Sequence, residues 1–234
     1  MAYTTIKDPS AYFQTKLYTG GTAEAKTFDG NSNLKPDLFW SKKRGAVQNN
    51  FLADSVRGTT YALVSNTTGA SYTNSETAEL TSFDTNGFTF SGTGDTYNGT
   101  YQSDSYVAWG WKANGTGVSN TSGSITSTVS ASATSGFSIV SYTGNGTDNA
   151  TVGHGLLQKP DMVIIKAREN TSSWLTWHKD LTGAGYAVFL DGTDAQANYN
   201  ILKNQSSSVL TLSTNSAVNA NNQGFTSYNF HSVQ

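Results

Sequence analysis

The stretch that decides the fold is Lys159-Pro160-Asp161-Met162-Val163-Ile164-Ile165-Lys166-Ala167-Arg168. A version of it occurs earlier in the chain as Lys35-Pro36-Asp37-Leu38-Phe39-Trp40-Ser41-Lys42-Lys43-Arg44, at an offset of 124 positions (159 − 35). The same offset relates Tyr18-Thr19-Gly20 to Tyr142-Thr143-Gly144, and Phe13 to Phe137. Separate matches at one offset indicate an internal duplication, which has to be recognised before a fold is assigned.

Each copy of the stretch predicts a turn followed by a buried strand. Proline fixes φ at the corner of a turn, and the aspartate beside it can cap that turn. The apolar residues that follow are β-branched or aromatic, as in strands. Alternation along a strand then places Met162, Ile164, Lys166 and Arg168 on one face. In the first copy, the matching face carries Leu38, Trp40, Lys42 and Arg44.

The rest of the chain also favours strands. Ser82 to Phe90 contains Asn86-Gly87 between alternating aromatic residues, which predicts a hairpin with a type I′ turn. Helical periodicity of useful length is absent from the sequence. We therefore expect an all-β fold of two tandem antiparallel β-sandwiches, jelly-roll and lectin-like. The expected domains are residues 1–113 and 124–234, joined by a Gly-, Ser- and Asn-rich linker at 114–123.

Composition excludes several classes of protein. The net charge is −2 and 12% of the residues are aromatic, which argues against intrinsic disorder. With no cysteine, the chain can form neither disulfides nor thiolate metal sites. We find no signal peptide and no apolar run long enough to span a bilayer. The chain has 14 basic and 16 acidic residues, so we expect no positively charged surface that would bind nucleic acid.

The sequence offers little for catalysis. Glycoside hydrolysis needs two placed carboxylates, and the four glutamates form no cluster on a predicted strand, although distant aspartates could still assemble a pair. The Gly-x-Ser-x-Gly elbow is missing, and His154, His178 and His231 belong to no metal-binding motif. Asp191-Gly192-Thr193-Asp194 reads as a turn, because two carboxylates are too few to specify a calcium site. We expect no enzyme activity, no cofactor and no metal.

Aromatic and basic side chains remain as candidates for binding. Trp40, Trp109, Trp111, Trp174 and Trp177 could stack on sugars or on another subunit, or could belong to the core. The basic strand ends could contact an anionic glycan or a neighbouring subunit, or could simply be solvated. The resulting candidate ligand-binding residues are Trp40, Lys42, Arg44, Lys166, Arg168, Trp174, Trp177 and His178.

Several of these motifs together resemble a family. They are Tyr142-Thr143-Gly144, the Lys-Pro-Asp strands ending in Lys166-Ala167-Arg168 and its counterpart, Trp174 to Lys179, and Tyr106-Val107-Ala108-Trp109-Gly110-Trp111-Lys112. This pattern resembles structural proteins of tailed bacteriophages, particularly marine ones, built of repeated concanavalin-like (LamG-like) β-sandwiches. The resemblance covers Tyr12 to Lys112 and again Phe137 to His231. It implies a virion protein, of the tail-fibre or capsid-decoration type, and brings no catalytic residues with it.

The resemblance also implies partners. We expect a homo-oligomer, with a trimer favoured, on the surface of the phage particle, in contact with other virion proteins, and a host-surface glycan as a candidate ligand. The last strand, Phe225 to Tyr228, is only a loose version of the family's closing strand, and we expect it to meet a neighbour as an exposed edge. The predicted assembly contacts are Tyr3, Tyr12, Phe225, Tyr228 and Phe230. The alternatives are a tail-fibre receptor-binding protein and a capsule-degrading glycan hydrolase or lyase.

Overall fold

A computed structural model describes residues 6–21, 24–73, 78–92 and 104–233. The first repeat begins with a 3-10 turn at Pro9–Ala11, capped by the Asp8 side chain. Its strands are β1 (Phe13–Thr19), β2 (Ala25–Lys26), β3 (Leu38–Lys43), β4 (Asn50–Asp54), β5 (Gly58–Val64), β6 (Tyr72–Thr73), β7 (Ala78–Asp84), β8 (Gly87–Gly92) and β9 (Ser105–Trp111).

The second repeat has strands at corresponding places, preceded by two additional strands. They are β10 (Val118–Asn120), β11 (Ser127–Ser132), β12 (Phe137–Thr143), β13 (Thr151–Gly153), β14 (Met162–Ala167), β15 (Leu175–His178), β16 (Tyr186–Phe189), β17 (Ala197–Asn198), β18 (Leu202–Gln205), β19 (Val209–Leu212) and β20 (Gly224–Phe230). A four-residue helix, α1 (Ser216–Asn219), precedes β20. Among the described residues, no helix is long and apolar enough to cross a membrane. The all-β prediction is confirmed.

The two repeats share one strand order. The large sheet of the first repeat runs β1-β9-β3-β4-β5-β6, and that of the second contains β12-β20-β14-β15-β16-β17 in the same sequence. Each repeat adds a small sheet, β2-β8-β7 in the first and β13-β19-β18 in the second. The register agrees as well, because Leu38 lies opposite Trp111 and Met162 lies opposite Phe230. The two Lys-Pro-Asp strands therefore occupy equivalent positions, whereas duplication as their origin stays an inference from the sequence.

The Pro-Asp turn performs the same task in both repeats. The backbone N–H of Asp37 donates to Trp111 O, and that of Asp161 donates to Phe230 O, both at 2.7 Å. The Asp37 carboxylate accepts from the N–H of Ala113 at 2.7 Å, and the Asp161 carboxylate accepts from the N–H of Ser232 at 2.7 Å. Each aspartate carboxylate thus bonds the backbone of the residue two positions after the last strand of its repeat, β9 or β20. This clamp explains why the motif occurs twice.

Each large sheet packs against its small sheet and encloses a core. In the first repeat the core is aromatic, with Phe39 lying 4.6 Å from Phe88 between ring centroids. In the second it is mostly aliphatic and includes Val163, Ile165 and Trp177. The chain therefore forms two antiparallel β-sandwiches, as predicted.

A third apolar cluster joins the sandwiches through their large sheets. It contains side chains from the faces of β3 and β14 that point away from the core of their own sandwich, such as Leu38 and Ile164. Phe137 and Trp174 pack against them. Hydrogen bonds cross the same interface, from Trp174 Nε1 to Val64 O at 2.9 Å and from the Tyr228 hydroxyl to Asp54 Oδ2 at 2.8 Å. Both faces of β14 are thus buried, which explains its nearly unbroken apolar sequence.

Two local expectations were wrong. Residues 114–123 are not simply a linker, since β10 within them pairs with β11, Val118 lying opposite Val129. The hairpin at 82–90 exists, but its two turn residues are Thr85 and Asn86 and not the expected Asn86 and Gly87. Gly87 instead pairs with Asp84 at the start of β8 and has a positive φ of 118°. A Cβ at Gly87 would lie 2.0 Å from the Lys26 carbonyl oxygen, so this position requires glycine.

The expectation that the last strand is an exposed edge was also wrong. β20 lies between β12 and β14 and pairs with both along its length. Phe225 and Tyr228 are buried, the first in the core of the second sandwich and the second between the repeats. Its loose resemblance to β9 therefore reflects different packing neighbours, and these two residues are not available as assembly contacts.

Candidate functional site

Four aromatic side chains form an open surface on the first large sheet, which we call the aromatic shelf: Phe13, Trp40, Trp109 and Trp111. They come from the neighbouring strands β1, β9 and β3, in which Phe13 lies opposite Trp111 and Trp40 lies opposite Trp109. Because alternate residues of a strand share a face, all four project from the side of the sheet away from the core of the first sandwich.

The rings of the shelf contact one another and surround a hollow of about 270 Å³. The ring centroids of Phe13 and Trp111 are 4.9 Å apart, and those of Trp40 lie 6.0 Å from Trp109 and 6.3 Å from Trp111. Phe13 is 40% exposed, and the three tryptophans are half-buried. The shelf is therefore fixed by ring-to-ring packing but remains open to a ligand.

Basic side chains continue the shelf along β3. Lys42 is exposed, shares the face of Trp40 and donates from Nζ to Asn50 Oδ1 at 3.1 Å. Arg44 is exposed just beyond the strand, where its backbone N–H still donates to Ser105 O. The site thus combines an apolar, aromatic floor with two cations at one end.

An apolar cavity of about 300 Å³ lies between the repeats and shares two tryptophans with the shelf. It is lined by Leu38, Trp40, Leu52, Trp111, Met162, Ile164, Trp174, Leu190, Tyr228 and Phe230. Its walls offer almost no polar atoms, so it lacks the hydrogen-bonding groups that orient a polar ligand. We therefore assign the candidate site to the shelf and not to this cavity.

A polar hollow of about 500 Å³ surrounds the Asp161 clamp. The Ser232 hydroxyl donates to Asp161 Oδ2 at 2.6 Å and lowers the pKa of that carboxyl, as does Lys179, whose Nζ lies 3.4 Å from Oδ1. The carboxylate is already used by its own chain. We therefore assign it a structural role.

The structure separates the predicted ligand-binding residues. Trp40, Lys42 and Arg44 lie together at the shelf. Trp174, by contrast, has no exposed surface and bonds Val64 between the repeats, and Trp177 is buried in the second core with its Nε1 donating to Gly183 O at 3.2 Å. Their assignment as surface contacts was wrong, because both faces of their sheet are covered.

The basic end of β14 is also not a counterpart of Lys42 and Arg44. Lys166 has no exposed surface and donates to Ala167 O at 2.8 Å and Thr68 O at 3.3 Å, so its surface role was wrong. Burial lowers the pKa of its ammonium group to about 8, an effect that Asp191 partly opposes. Arg168 is half-buried, and burial lowers its pKa, as does the nearby Arg57.

The remaining predicted residues lie apart from the shelf or beside it. His178 is half-buried, with its Nδ1 3.5 Å from Asp180 Oδ2 in a polar turn. Tyr12 is half-buried next to Phe13 in the sequence, and Phe230 packs against Phe137 with ring centroids 4.8 Å apart. Tyr3 lies outside the described residues.

The sequence analysis identifies one of the four shelf residues, Trp40, as a ligand-binding residue and misses the other three. Phe13 serves there only to align the repeats, and Trp109 and Trp111 are stacking candidates outside the chosen set. A usable signal was present, since Trp109-Gly110-Trp111 places two tryptophans on one face of a strand that also closes a repeat. In the described part of the chain, no three His, Cys, Asp or Glu side chains form a group that could hold a metal ion.

The comparison with protein families covers almost the whole chain. The family model described as "Domain of unknown function (DUF7483)" matches residues 8–234. The chain belongs to this family. The DUF7483 match spans both sandwiches, so the family unit is the pair and not a single repeat. No curated protein and no solved structure matches the chain.

Proposed function

We propose that this DUF7483 protein is a non-enzymatic structural protein of a tailed phage, displayed on the particle surface, and that its aromatic shelf binds host-surface glycans. The particle assignment comes from the resemblance of the repeated motifs to phage virion proteins. The glycan assignment comes from the shelf, and this single observation carries the binding function.

The shelf suits a sugar for physical reasons. Pyranose rings present flat C–H faces that pack on aromatic rings, while their hydroxyl groups stay hydrated at the rim. Three half-buried tryptophans and Phe13 supply such a surface at fixed positions on adjacent strands. Because the platform is built on a sheet, little conformational entropy is lost when a ligand stacks on it.

The cations beside the shelf indicate which glycans would bind best. Lys42 and Arg44 are exposed at one end of it. Exposed charges attract over about a Debye length, roughly 8 Å at physiological salt, so they favour acidic sugars and do so less at high salt. Anionic capsular or envelope polysaccharides are therefore the class of ligand that we propose for adhesion.

Binding to a glycan array tests the shelf. Trp109→Ala should weaken glycan binding about tenfold or more, equivalent to about 1.4 kcal/mol, because it removes one stacking ring. Tyr61→Ala serves as the matched control, since Tyr61 is 49% exposed on β5, which β4 separates from the shelf strand β3. Equal binding by wild type and Trp109→Ala would refute the shelf as the site. The double variant Lys42→Ala/Arg44→Ala should lose the preference for acidic over neutral glycans.

Two rival functions are tested with the same protein. A capsule-degrading hydrolase or lyase would release new sugar ends from host polysaccharide, whereas an adhesion protein would leave the chain length unchanged. A tail-fibre receptor-binding protein would be found at the distal tail by antibody labelling in electron microscopy, and a capsid-decoration protein on the head. Absence of the chain from purified particles by mass spectrometry would refute the virion assignment.

A further inference from the structure

The two repeats differ at one sheet edge. In the second repeat, β12 is covered by β11, whose Ser130 lies opposite Ile139, and β10 lies outside β11. In the first repeat, the equivalent strand β1 has β9 as its one neighbour within the described residues. The same fold therefore accepts an antiparallel strand at this edge in the second repeat, whereas no strand among the described residues occupies the equivalent position beside β1.

The backbone of β1 is oriented to receive such a strand. Lys112 N–H donates to Tyr12 O, and Gly20 N–H donates to Asp104 O, so even-numbered residues of β1 bond towards β9. In an antiparallel ladder the bonding direction alternates, and the N–H and C=O groups of Phe13, Thr15 and Leu17 therefore point away from the sheet.

The side chains of Phe13 and Leu17 are exposed and apolar where an edge strand is normally protected. Phe13 is 40% exposed and Leu17 is 60% exposed on this seven-residue strand. Native edge strands are usually short, charged or covered, because an apolar edge invites pairing with another chain. The outer edge of the second repeat follows that rule, since β10 is three residues long.

We propose that β1 pairs with β1 of a second copy of this chain, antiparallel and centred on Thr15. In this register Phe13 lies opposite Leu17 of the other copy on both sides of the axis, and the two central threonines face each other. The pairing uses the outward backbone groups and brings together the two exposed apolar residues of each strand. The strand is thus complementary to itself, as a twofold interface requires.

The dimer would also align the two shelves. A twofold axis perpendicular to an antiparallel sheet keeps equivalent side chains on the same face, so both copies present Trp40, Trp109 and Trp111 to one side. A bivalent surface gains avidity for a repeating polymer. This consequence rests on the proposed glycan function, whereas the dimer itself does not.

Light scattering coupled to size exclusion tests the dimer with the full chain. We expect a dimer for the wild type and an at least tenfold higher dissociation constant for Leu17→Lys, which places a charge at the pairing edge. Val118→Lys is the matched control, because Val118 is 69% exposed on the edge strand β10, and it should remain dimeric. Monomeric wild type at all concentrations, a trimer, or loss of the dimer only in Val118→Lys would overturn the proposal.

A cross-linking experiment gives a positive readout that does not depend on disrupting the edge. The chain contains no cysteine, so Thr15→Cys introduces a single thiol on the proposed axis. A short bis-maleimide should convert this variant to a covalent dimer, while Val47→Cys, at a 99% exposed position elsewhere, should not cross-link. Equal cross-linking of both variants, or of neither, would contradict the proposed register. Glycan binding by a monomeric Leu17→Lys variant separates failure of the dimer from failure of the binding function.

Discussion

At the scale of single residues, buried charges connect the two sandwiches. Asp54 has no exposed surface and accepts from Arg57 Nε at 2.6 Å and from the Tyr228 hydroxyl at 2.8 Å. Removing one member of such a group would leave the other polar atoms buried without partners, which is costly. Tyr228 belongs to the second repeat, so its hydrogen bonds with Asp54 and Arg57 link the two sandwiches.

Lys166 provides a pH-dependent prediction at the same scale. Its ordinary pKa is 10.5 and burial lowers it to about 8 in the folded protein. Between those values the unfolded chain binds a proton that the folded chain does not, so stability rises with pH. Relative to Lys166→Met, the unfolding free energy of the wild type should therefore increase by about 1.4 kcal/mol per pH unit from pH 8 towards 10.

Urea unfolding at several pH values, followed by tryptophan fluorescence, measures this slope. The control is Lys203→Met, in which a surface lysine that pairs with Asp148 at 3.5 Å is replaced; this variant retains Lys166 and should keep the slope of the wild type. Parallel pH profiles for wild type and Lys166→Met would show that the ammonium group stays solvated.

At the scale of elements, the two clamps should differ in strength although their geometry agrees. Asp37 is buried and accepts from the N–H groups of Ala113 and Gly115 at 2.7 and 3.1 Å. Asp161 is half-buried, and water can replace it as the partner of Ser232. Asp37→Ala should destabilise the protein by about 2–4 kcal/mol and Asp161→Ala by about 1 kcal/mol.

Chemical denaturation of both variants measures the difference. Asp37→Asn is the control, because it retains an acceptor oxygen and should recover part of the loss. A larger effect of Asp161→Ala than of Asp37→Ala would contradict the structural account of the clamp.

At the scale of the whole molecule, the sandwiches should unfold together. They share an apolar interface in which Trp174 lies fully buried, stacked with Tyr228 and bonded to Val64. Trp174→Ala should cost about 3–5 kcal/mol and lower a single melting transition. Differential scanning calorimetry should give equal calorimetric and van't Hoff enthalpies for the wild type. Tyr61→Ala should leave the melting temperature nearly unchanged, and two separate transitions would show that the repeats fold independently.

The sequence by itself determined the local structure of this protein. Strand-forming residues with period-two patterning and turn residues predicted an all-β fold and the hairpin within Ser82 to Phe90, and the shared offset located the equivalent strands β3 and β14. These features depend on near neighbours along the chain, where steric preference and hydrogen-bonding capacity act directly.

Only the tertiary structure decided which face of each strand meets another layer. The alternation that groups Trp40 with Lys42 also groups Ile164 with Lys166, yet the first pair lies at an open surface and the second is buried between sandwiches. Such burial depends on how two sheets dock, which single-strand patterning does not encode. For the same reason β20 proved to be central, whereas its sequence predicted an edge: strand order is set by long-range pairing, and the residues of one strand do not record their neighbours.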